Sequence, residues 1–212
     1  LAKGMLSSDP PASLLDRLKD EYAAYPTNYV FAYSNIGFAL LGLMIEQVSQ
    51  ANFYDYVDQA ILGPIGMQQS SFKKTAEVEA LLSRGYRNGE QMDQVPLRDM
   101  AAGSMYSNVD ELARFMQMVF AGGKVGGRQI LQQHTIAEML RRQDQDARLE
   151  SSNQIGLGWF LQKFNIADDI GEILVARHGG GTPLFRTNLT IVTELKLGVV
   201  VLGNSTEGRK LG

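Results

Sequence analysis

Three consecutive glycines follow a histidine between two strand-like runs near the end of the sequence. Residues 177–183 read Arg-His-Gly-Gly-Gly-Thr-Pro, with a β-branched run at 173–176 before them and an alternating run at 185–193 after them. Glycine weakens a strand because it loses more backbone freedom on folding than any other residue. Within a strand pattern it often marks a place where a ligand or another backbone comes close. The pattern predicts a sheet-edge site, in which a strand end without side chains lies beside the titratable ring of His178; a loose loop is the alternative.

Helix-like patterns occupy the earlier part of the chain, and strand-like patterns follow. Apolar residues recur with helical spacing in three segments (36–50, 53–62 and 112–120), and four strand-like runs joined by short turns come later (156–163, 172–176, 185–193 and 197–202). This order predicts an α+β fold in which helices pack on one side or end of an antiparallel sheet. We expect a mainly helical region at 1–150 and the antiparallel sheet portion at 151–212, both within one domain.

Several residues predict where the helices begin and end. Ser34 and Asn52 are suitable N-caps for the first two apolar helices, and Gly63-Pro64 is expected to end the second. Ser107-Asn108-Val109-Asp110 has the spacing of a capping box for the third helix, with aspartate in place of the usual glutamate.

Composition argues against several functional classes. The net charge of −3 over 212 residues, with no cluster of basic residues, makes nucleic acid an improbable partner. The absence of cysteine excludes disulfides and a thiol nucleophile, and two histidines without paired carboxylates do not predict a metal site. The most apolar run, 36–45, is about half the length needed to cross a bilayer. It predicts a buried helix, and no membrane-spanning segment.

Tyr33 and Asn35 lie where a short extended run meets a predicted helix. Residues two apart in an extended segment point to the same side, so both side chains could face one cleft. A phenol with a pKa of about 10 is a poor base unless a cation lowers that value. A catalytic Tyr33 therefore predicts a lysine or similar cation nearby; the alternative is an ordinary tyrosine and asparagine at a helix start.

Other residues offer different chemistry. His178 could act as a general acid or base, or donate a hydrogen bond to a substrate carboxylate, whereas His134 is interpreted as a surface residue. Ser70 and Ser71 each precede a lysine by three residues, a spacing that can activate a serine. They follow a turn-rich stretch without an apolar helix to hold them, so we predict that neither is the nucleophile.

His-Gly-Gly-Gly is also the oxyanion-hole motif of lipase-like α/β-hydrolases. That interpretation needs a Gly-x-Ser-x-Gly motif downstream, and the nearest approach, at 203–207, lacks the last glycine. The strands here are also consecutive and do not alternate with helices. The α/β-hydrolase interpretation is therefore rejected.

The motifs resemble those of the penicillin-recognising serine hydrolases, the family of class C β-lactamases, D-alanyl-D-alanine carboxypeptidases, D-aminopeptidases and certain esterases. Tyr33-Ser34-Asn35 is similar to the family's Tyr-x-Asn motif. His178-Gly179-Gly180 is similar to its third motif, in which many esterase-like and peptidase-like members have His-x-Gly in place of Lys-Thr-Gly. Linking segments at 62–67, 101–107 and 156–159 are similar as well, and occur in the family's order.

The resemblance implies a hydrolase that acts on an amide, ester or β-lactam carbonyl of a small-molecule or peptide substrate, without a metal or cofactor. Tyr33 would be the general base or proton relay, and His178 would stand where the third-motif lysine does. Asn35, Gly180 and Gly181 would bind substrate, with the Gly181 N–H as half of the oxyanion hole. The resemblance also suggests the bacterial periplasm or cell envelope as the compartment.

The chain departs from the family at the nucleophile. The family places Ser-x-x-Lys upstream of Tyr-x-Asn, and the 32 residues before Tyr33 contain no such motif. The family's first strands and its closing helix also have no counterpart here. We therefore expect an incomplete catalytic domain that is inactive by itself and belongs to an acyl-serine hydrolase; the alternative is a non-catalytic binding or scaffold protein that retains the fold.

Overall fold

The computed structural model describes residues 13–94, 100–149, 153–167 and 171–206. Its helices are α1 (Ser13–Leu18), α2 (Asn35–Ser49), α3 (Phe53–Val57), α4 (Gly63–Ile65), α5 (Ala76–Leu81), α6 (Met100–Gly103), α7 (Val109–Phe120) and α8 (Gln133–Leu140). Its strands are β1 (Gly85–Arg87), β2 (Glu90–Met92), β3 (Lys124–Val125), β4 (Arg128–Gln129), β5 (Gln154–Ile155), β6 (Phe160–Ala167), β7 (Gly171–Gly181), β8 (Arg186–Val192) and β9 (Leu197–Gly203).

Strands β5 to β9 form one five-stranded antiparallel sheet in which each strand pairs with the next along the chain. Strands β1 and β2 form a hairpin, and so do β3 and β4. The core lies between one face of the large sheet and α7, and includes Met116, Val119, Leu161, Ala176 and Ile191. The predicted α+β fold, with helices first and a consecutive antiparallel sheet last, is confirmed.

Two predicted N-caps are present. The Gly37 N–H donates to Ser34 Oγ at 3.0 Å, which begins α2, and the Tyr54 N–H donates to Asn52 Oδ1 at 3.1 Å, which begins α3. In both cases a short side-chain oxygen accepts from one of the amides that the first turn of a helix leaves without a partner.

The predicted capping box is displaced by one residue. Asn108 caps α7, and its Oδ1 accepts the Glu111 N–H at 2.9 Å. The Ser107 hydroxyl does not cap the helix and lies 2.7 Å from that of Ser70. Ser107 and Asn108 are adjacent candidates for the N-cap in the sequence. In the structure the cap is Asn108.

Gly63-Pro64 does not end the second helix, contrary to expectation. The chain passes from α3 through a π-helical turn, Asp58–Leu62, into α4, and it leaves the helix at Gly66, where φ is 80°. Pro64 lies in the first turn of α4, directly after the π-helical turn, so the continuous helix accommodates a residue without an N–H at this point.

The glycines after His178 belong to a strand, so the loose-loop alternative is wrong. Strand β7 continues to Gly181, which pairs with Arg186 of β8. Strand β6 is shorter, and its first residue, Phe160, pairs with Arg177. The end of β7 is therefore paired on one side only among the described residues.

The apolar helix α2 is only half buried, which corrects the prediction of a buried helix. Ala39 and Gly42 are buried, but Leu41, Met44 and Val48 are exposed by 49%, 60% and 84%. The described neighbours of α2 are α3 and α6, and they cover one side of it. Within the described ranges no helix combines the length and the apolar character that a bilayer span requires.

A pair of glycine substitutions tests how α7 ends. Gly123 has a φ of +86°, and a Cβ there would overlap the carbonyl oxygen of Leu131, whereas Gly126 has a φ of +55° and nothing within 4 Å. Gly126→Ala should lower the free energy of unfolding by about 1–2 kcal/mol, the cost of a left-handed residue. Gly123→Ala should cost about 1–3 kcal/mol more because the backbone must also move. Urea unfolding followed by circular dichroism measures both, and equal losses would contradict the close approach of Leu131 to Gly123.

Candidate functional site

Two residues chosen from the sequence meet at the end of β7. The ring centroids of Tyr33 and His178 lie 6.1 Å apart, with an angle of 37° between the ring planes. Tyr33 belongs to the irregular segment before α2, and His178 belongs to β7. The sheet and the helical region therefore both contribute to this place, and the two rings share one side of the molecule.

Asn35 is held close to Tyr33 by the start of α2. It is the first residue of the helix and is partly buried. The Ser34 cap fixes the turn between the two residues, because its hydroxyl accepts the Gly37 N–H. The extended segment thus ends at Tyr33, and the helix begins two residues later, as the sequence predicts.

Phe160 is a third ring at the site, and sequence reasoning missed it. Its ring centroid lies 6.4 Å from that of Tyr33, with the planes nearly parallel at 12°, and 5.7 Å from that of His178. Phe31 packs edge-on against Phe160 at 6.0 Å. Phe160 begins β6 and pairs with Arg177, next to His178; this register, which is not visible in the sequence, brings the start of β6 beside the site.

The lysine or similar cation that a catalytic Tyr33 predicts is not observed beside it. In the described ranges no lysine or arginine forms a hydrogen bond or a cation–π contact with Tyr33. The titratable side chain next to Tyr33 is His178, with 6.1 Å between the ring centroids.

The open edge of β7 presents backbone amides. The Thr182 N–H donates to the Phe185 carbonyl at 3.1 Å across the β7–β8 turn. Because the hydrogen-bonding direction alternates along an antiparallel strand, Gly180 directs its N–H toward β8, and Gly181 directs its N–H away from β8. Strand β6 begins at Phe160, opposite Arg177, and therefore does not extend to a position opposite Gly181. Gly181 is exposed. An N–H in this position can donate to a bound carbonyl oxygen.

Gly180 has a separate steric role. A Cβ at this position would overlap the hydroxyl of Thr187, its partner on β8. A Cβ at Gly181 would find no atom nearer than 3.8 Å, at Arg186. A side chain at Gly180 would therefore force the Thr187 hydroxyl to move, and the strand pattern alone does not distinguish this packing from a ligand's close approach.

Ser70 and Ser71 lie in arrangements unsuited to a nucleophile. Ser70 is 4% exposed, and its hydroxyl donates to Glu111 Oε2 at 2.6 Å. Lys73, three residues later, pairs with Asp55 at 2.8 Å. A hydroxyl sealed in this way cannot reach a substrate carbonyl.

Lys74 is equally unsuited to activate Ser71. Its ammonium lies 2.6 Å from Glu79, and the hydrogen bond that it donates to that carboxylate raises the pKa of Lys74 above its ordinary value. A lysine that activates a serine needs a lowered pKa so that its amine can accept a proton. Ser71 Oγ instead accepts the Lys73 N–H at 2.9 Å.

Known proteins are similar to this chain in sequence. A protein-family model described as "Beta-lactamase" matches residues 2–211. A Salmonella gallinarum protein named "Putative D-alanyl-D-alanine carboxypeptidase" is 22% identical over 227 residues, which cover 95% of this chain and 51% of that protein.

Two solved structures are similar in fold. The octameric penicillin-binding protein homologue from Pyrococcus abyssi has a TM-score of 0.79 and 25% identity, over 96% of this chain and 47% of that one. A class C beta-lactamase has a TM-score of 0.76 and 19% identity, over 92% of this chain and 58% of that one. The chain thus spans about half the length of these relatives.

A double-mutant cycle tests the packing of Gly180. Gly180→Ala alone should lower the free energy of unfolding by about 1–3 kcal/mol, because the new methyl group overlaps the Thr187 hydroxyl. In a Thr187→Ala background the nearest remaining atom is the residue 187 Cβ, 3.5 Å away, so the cost of Gly180→Ala should fall below about 0.5 kcal/mol. Urea unfolding of the four proteins gives the coupling energy, and additive effects would rule out the steric explanation.

Proposed function

Because the chain belongs to the beta-lactamase family, we propose that it forms the Tyr-x-Asn and His-Gly-Gly part of a serine hydrolase that works through an acyl-serine intermediate. The nucleophilic serine comes from a part of the parent protein outside this chain. The substrate bond is an amide, ester or β-lactam carbonyl. The observation that carries the proposal is the 6.1 Å separation of the Tyr33 and His178 rings, which come from different regions of the fold.

Tyr33 is the proposed proton relay. Tyr33 is 55% exposed, so its hydroxyl can meet a serine presented from the parent protein. In this role Tyr33 accepts the proton of the attacking serine and returns a proton to the leaving group, which is general acid–base catalysis. His178 is proposed to assist as a general acid or base, since its ring centroid lies 6.1 Å from that of Tyr33.

The open end of β7 is the proposed oxyanion site. The Gly181 N–H points away from β8, beyond the end of β6, and no side chain shields it at that residue. A donor of this kind typically contributes about 2.7–4 kcal/mol of transition-state stabilisation, because it is already oriented when charge develops on the carbonyl oxygen. Gly180 and Asn35 complete the proposed substrate contacts.

His178 favours an ester or peptide substrate over a β-lactam. A lysine stays charged at neutral pH and anchors a substrate carboxylate permanently, whereas histidine is charged only in part near neutral pH. The name of the Salmonella gallinarum relative refers to a D-alanyl-D-alanine carboxypeptidase, which supports the peptide side of this proposal.

Covalent labelling of the parent protein tests the function. A fluorescent phosphonate or penicillin should label the polypeptide that contains this chain together with its Ser-x-x-Lys segment. Tyr33→Phe should slow labelling by about 10²-fold or more, because general acid–base catalysis is lost while the ring stack with Phe160 remains. Tyr56→Phe is the matched control, since Tyr56 is exposed by 41% on the distant α3, and it should label at the normal rate.

Two outcomes would contradict the proposal. Covalent labelling of this chain by itself would place the nucleophile within it. A parent protein that binds the probe reversibly and never forms a covalent adduct would instead be a non-catalytic binding protein that has kept the fold.

A further inference from the structure

The geometry points to Phe160 as the positioning residue of this site: its ring holds the side chains of Tyr33 and His178 at their working separation. The inference rests on the proposed function for its kinetic consequence. Its structural content stands by itself, because Phe160 contacts both rings whatever reaction they perform.

Phe160 is well placed to act as a fixed support. Its backbone is paired on both sides, with Ile155 of β5 and with Arg177 of β7. The residue before it, Trp159, is 6% exposed, and its carbonyl accepts the Gly156 N–H at 2.8 Å across the β5–β6 turn. The rings of Phe31 and Phe160 pack edge to face, with an angle of 85° between their planes. The paired backbone and the contact with Phe31 therefore restrain Phe160.

Tyr33 and His178, in contrast, have little else to orient them. Within the described part of the chain, neither the Tyr33 hydroxyl nor the His178 ring nitrogens form a hydrogen bond. Tyr33 also lies in an irregular segment and is 55% exposed. Side chains of this kind change rotamer freely unless packing restrains them. The ring of Phe160 is the packing that both of them share.

The arrangement leaves the polar atoms available for chemistry. A hydrogen bond would fix either side chain by occupying the atom that must exchange a proton. Contact with an aromatic ring fixes the plane of the side chain and leaves that atom open. Proton transfer depends steeply on position, so a support of this type acts on the rate more than on substrate binding.

Kinetics of the parent protein on a chromogenic ester give the first test. Phe160→Leu keeps an apolar side chain but removes the planar ring, and should lower kcat about tenfold or more while KM changes less than about threefold. Phe160→Tyr keeps the ring and should retain kcat within about threefold. Phe164→Leu is the matched control, because Phe164 lies on the same strand, is 44% exposed, and contacts neither ring; it should leave kcat and KM unchanged.

Nuclear magnetic resonance of the histidine rings gives a second test that needs no activity. The chain has two histidines, and His134, exposed on α8, serves as the internal reference. Loss of the Phe160 ring current should move the His178 ring-proton signals in Phe160→Leu, and Phe160→Tyr should keep them in place. The His134 signals should stay constant throughout.

Specific results of these experiments would contradict the role of Phe160 as a positioning residue. An unmoved His178 signal in folded Phe160→Leu, or an equal loss of kcat in Phe164→Leu, would overturn the positioning role. If Phe160→Leu does not fold, Phe31→Leu is the alternative variant, because it removes the ring that packs against Phe160. The absence of any shift in the His178 signals of that variant would also overturn the proposal. A wild-type parent protein without hydrolytic activity would refute the proposed function, and the resonance experiment would still show whether the Phe160 ring lies against His178.

Discussion

The burial of Ala176 against Ile191 in the middle of the sheet determines the direction of the side chains along β7. The two residues pair across β7 and β8, and each is 1% exposed. Since successive residues of a strand point to opposite faces, a slip of one residue would expose both and turn His178 to the other face. Burial of an aliphatic side chain the size of Ile191 contributes about 1.5–3 kcal/mol. The free energy that holds the sheet in register therefore also directs His178.

A buried carboxylate joins the helical region to the same core. Glu111 is 4% exposed in the first turn of α7, and it accepts the Ser70 hydroxyl at 2.6 Å and the Gln69 N–H at 2.9 Å. A buried charged group is tolerable only when its hydrogen bonds are satisfied. These hydrogen bonds connect the loop after α4 to α7, the helix that packs on the sheet, and Ser70 is one of the two donors.

Tyr33 reaches the sheet because its segment is held at both ends. The Arg148 and Leu149 amides donate to the carbonyls of Asn28 and Tyr29 at 2.9 and 2.8 Å, and the Ser34 cap begins α2 immediately after Tyr33. Between these fixed points the chain has few residues and little freedom. The site thus combines a short restrained segment with a strand that extends past its neighbour, and the polar atoms of both remain accessible.

Local patterns in the sequence were sufficient for the α+β fold, for the Ser34 and Asn52 caps, and for the choice of Tyr33 and His178 as candidate site residues. Helical periodicity, strand alternation and capping depend on residues a few positions apart, so they can be seen without a structure. The catalytic roles of Tyr33 and His178 stay predictions until the labelling experiment is done.

Tertiary structure decided the features that depend on residues far apart in the chain. Asn108 caps α7, and the hydroxyl of Ser107 lies 2.7 Å from that of Ser70 in a distant loop. A Cβ at Gly180 would overlap the hydroxyl of Thr187, its partner on β8. Phe160 enters the site through strand register, which is set by the burial of whole strands and cannot be calculated from the neighbours of one residue.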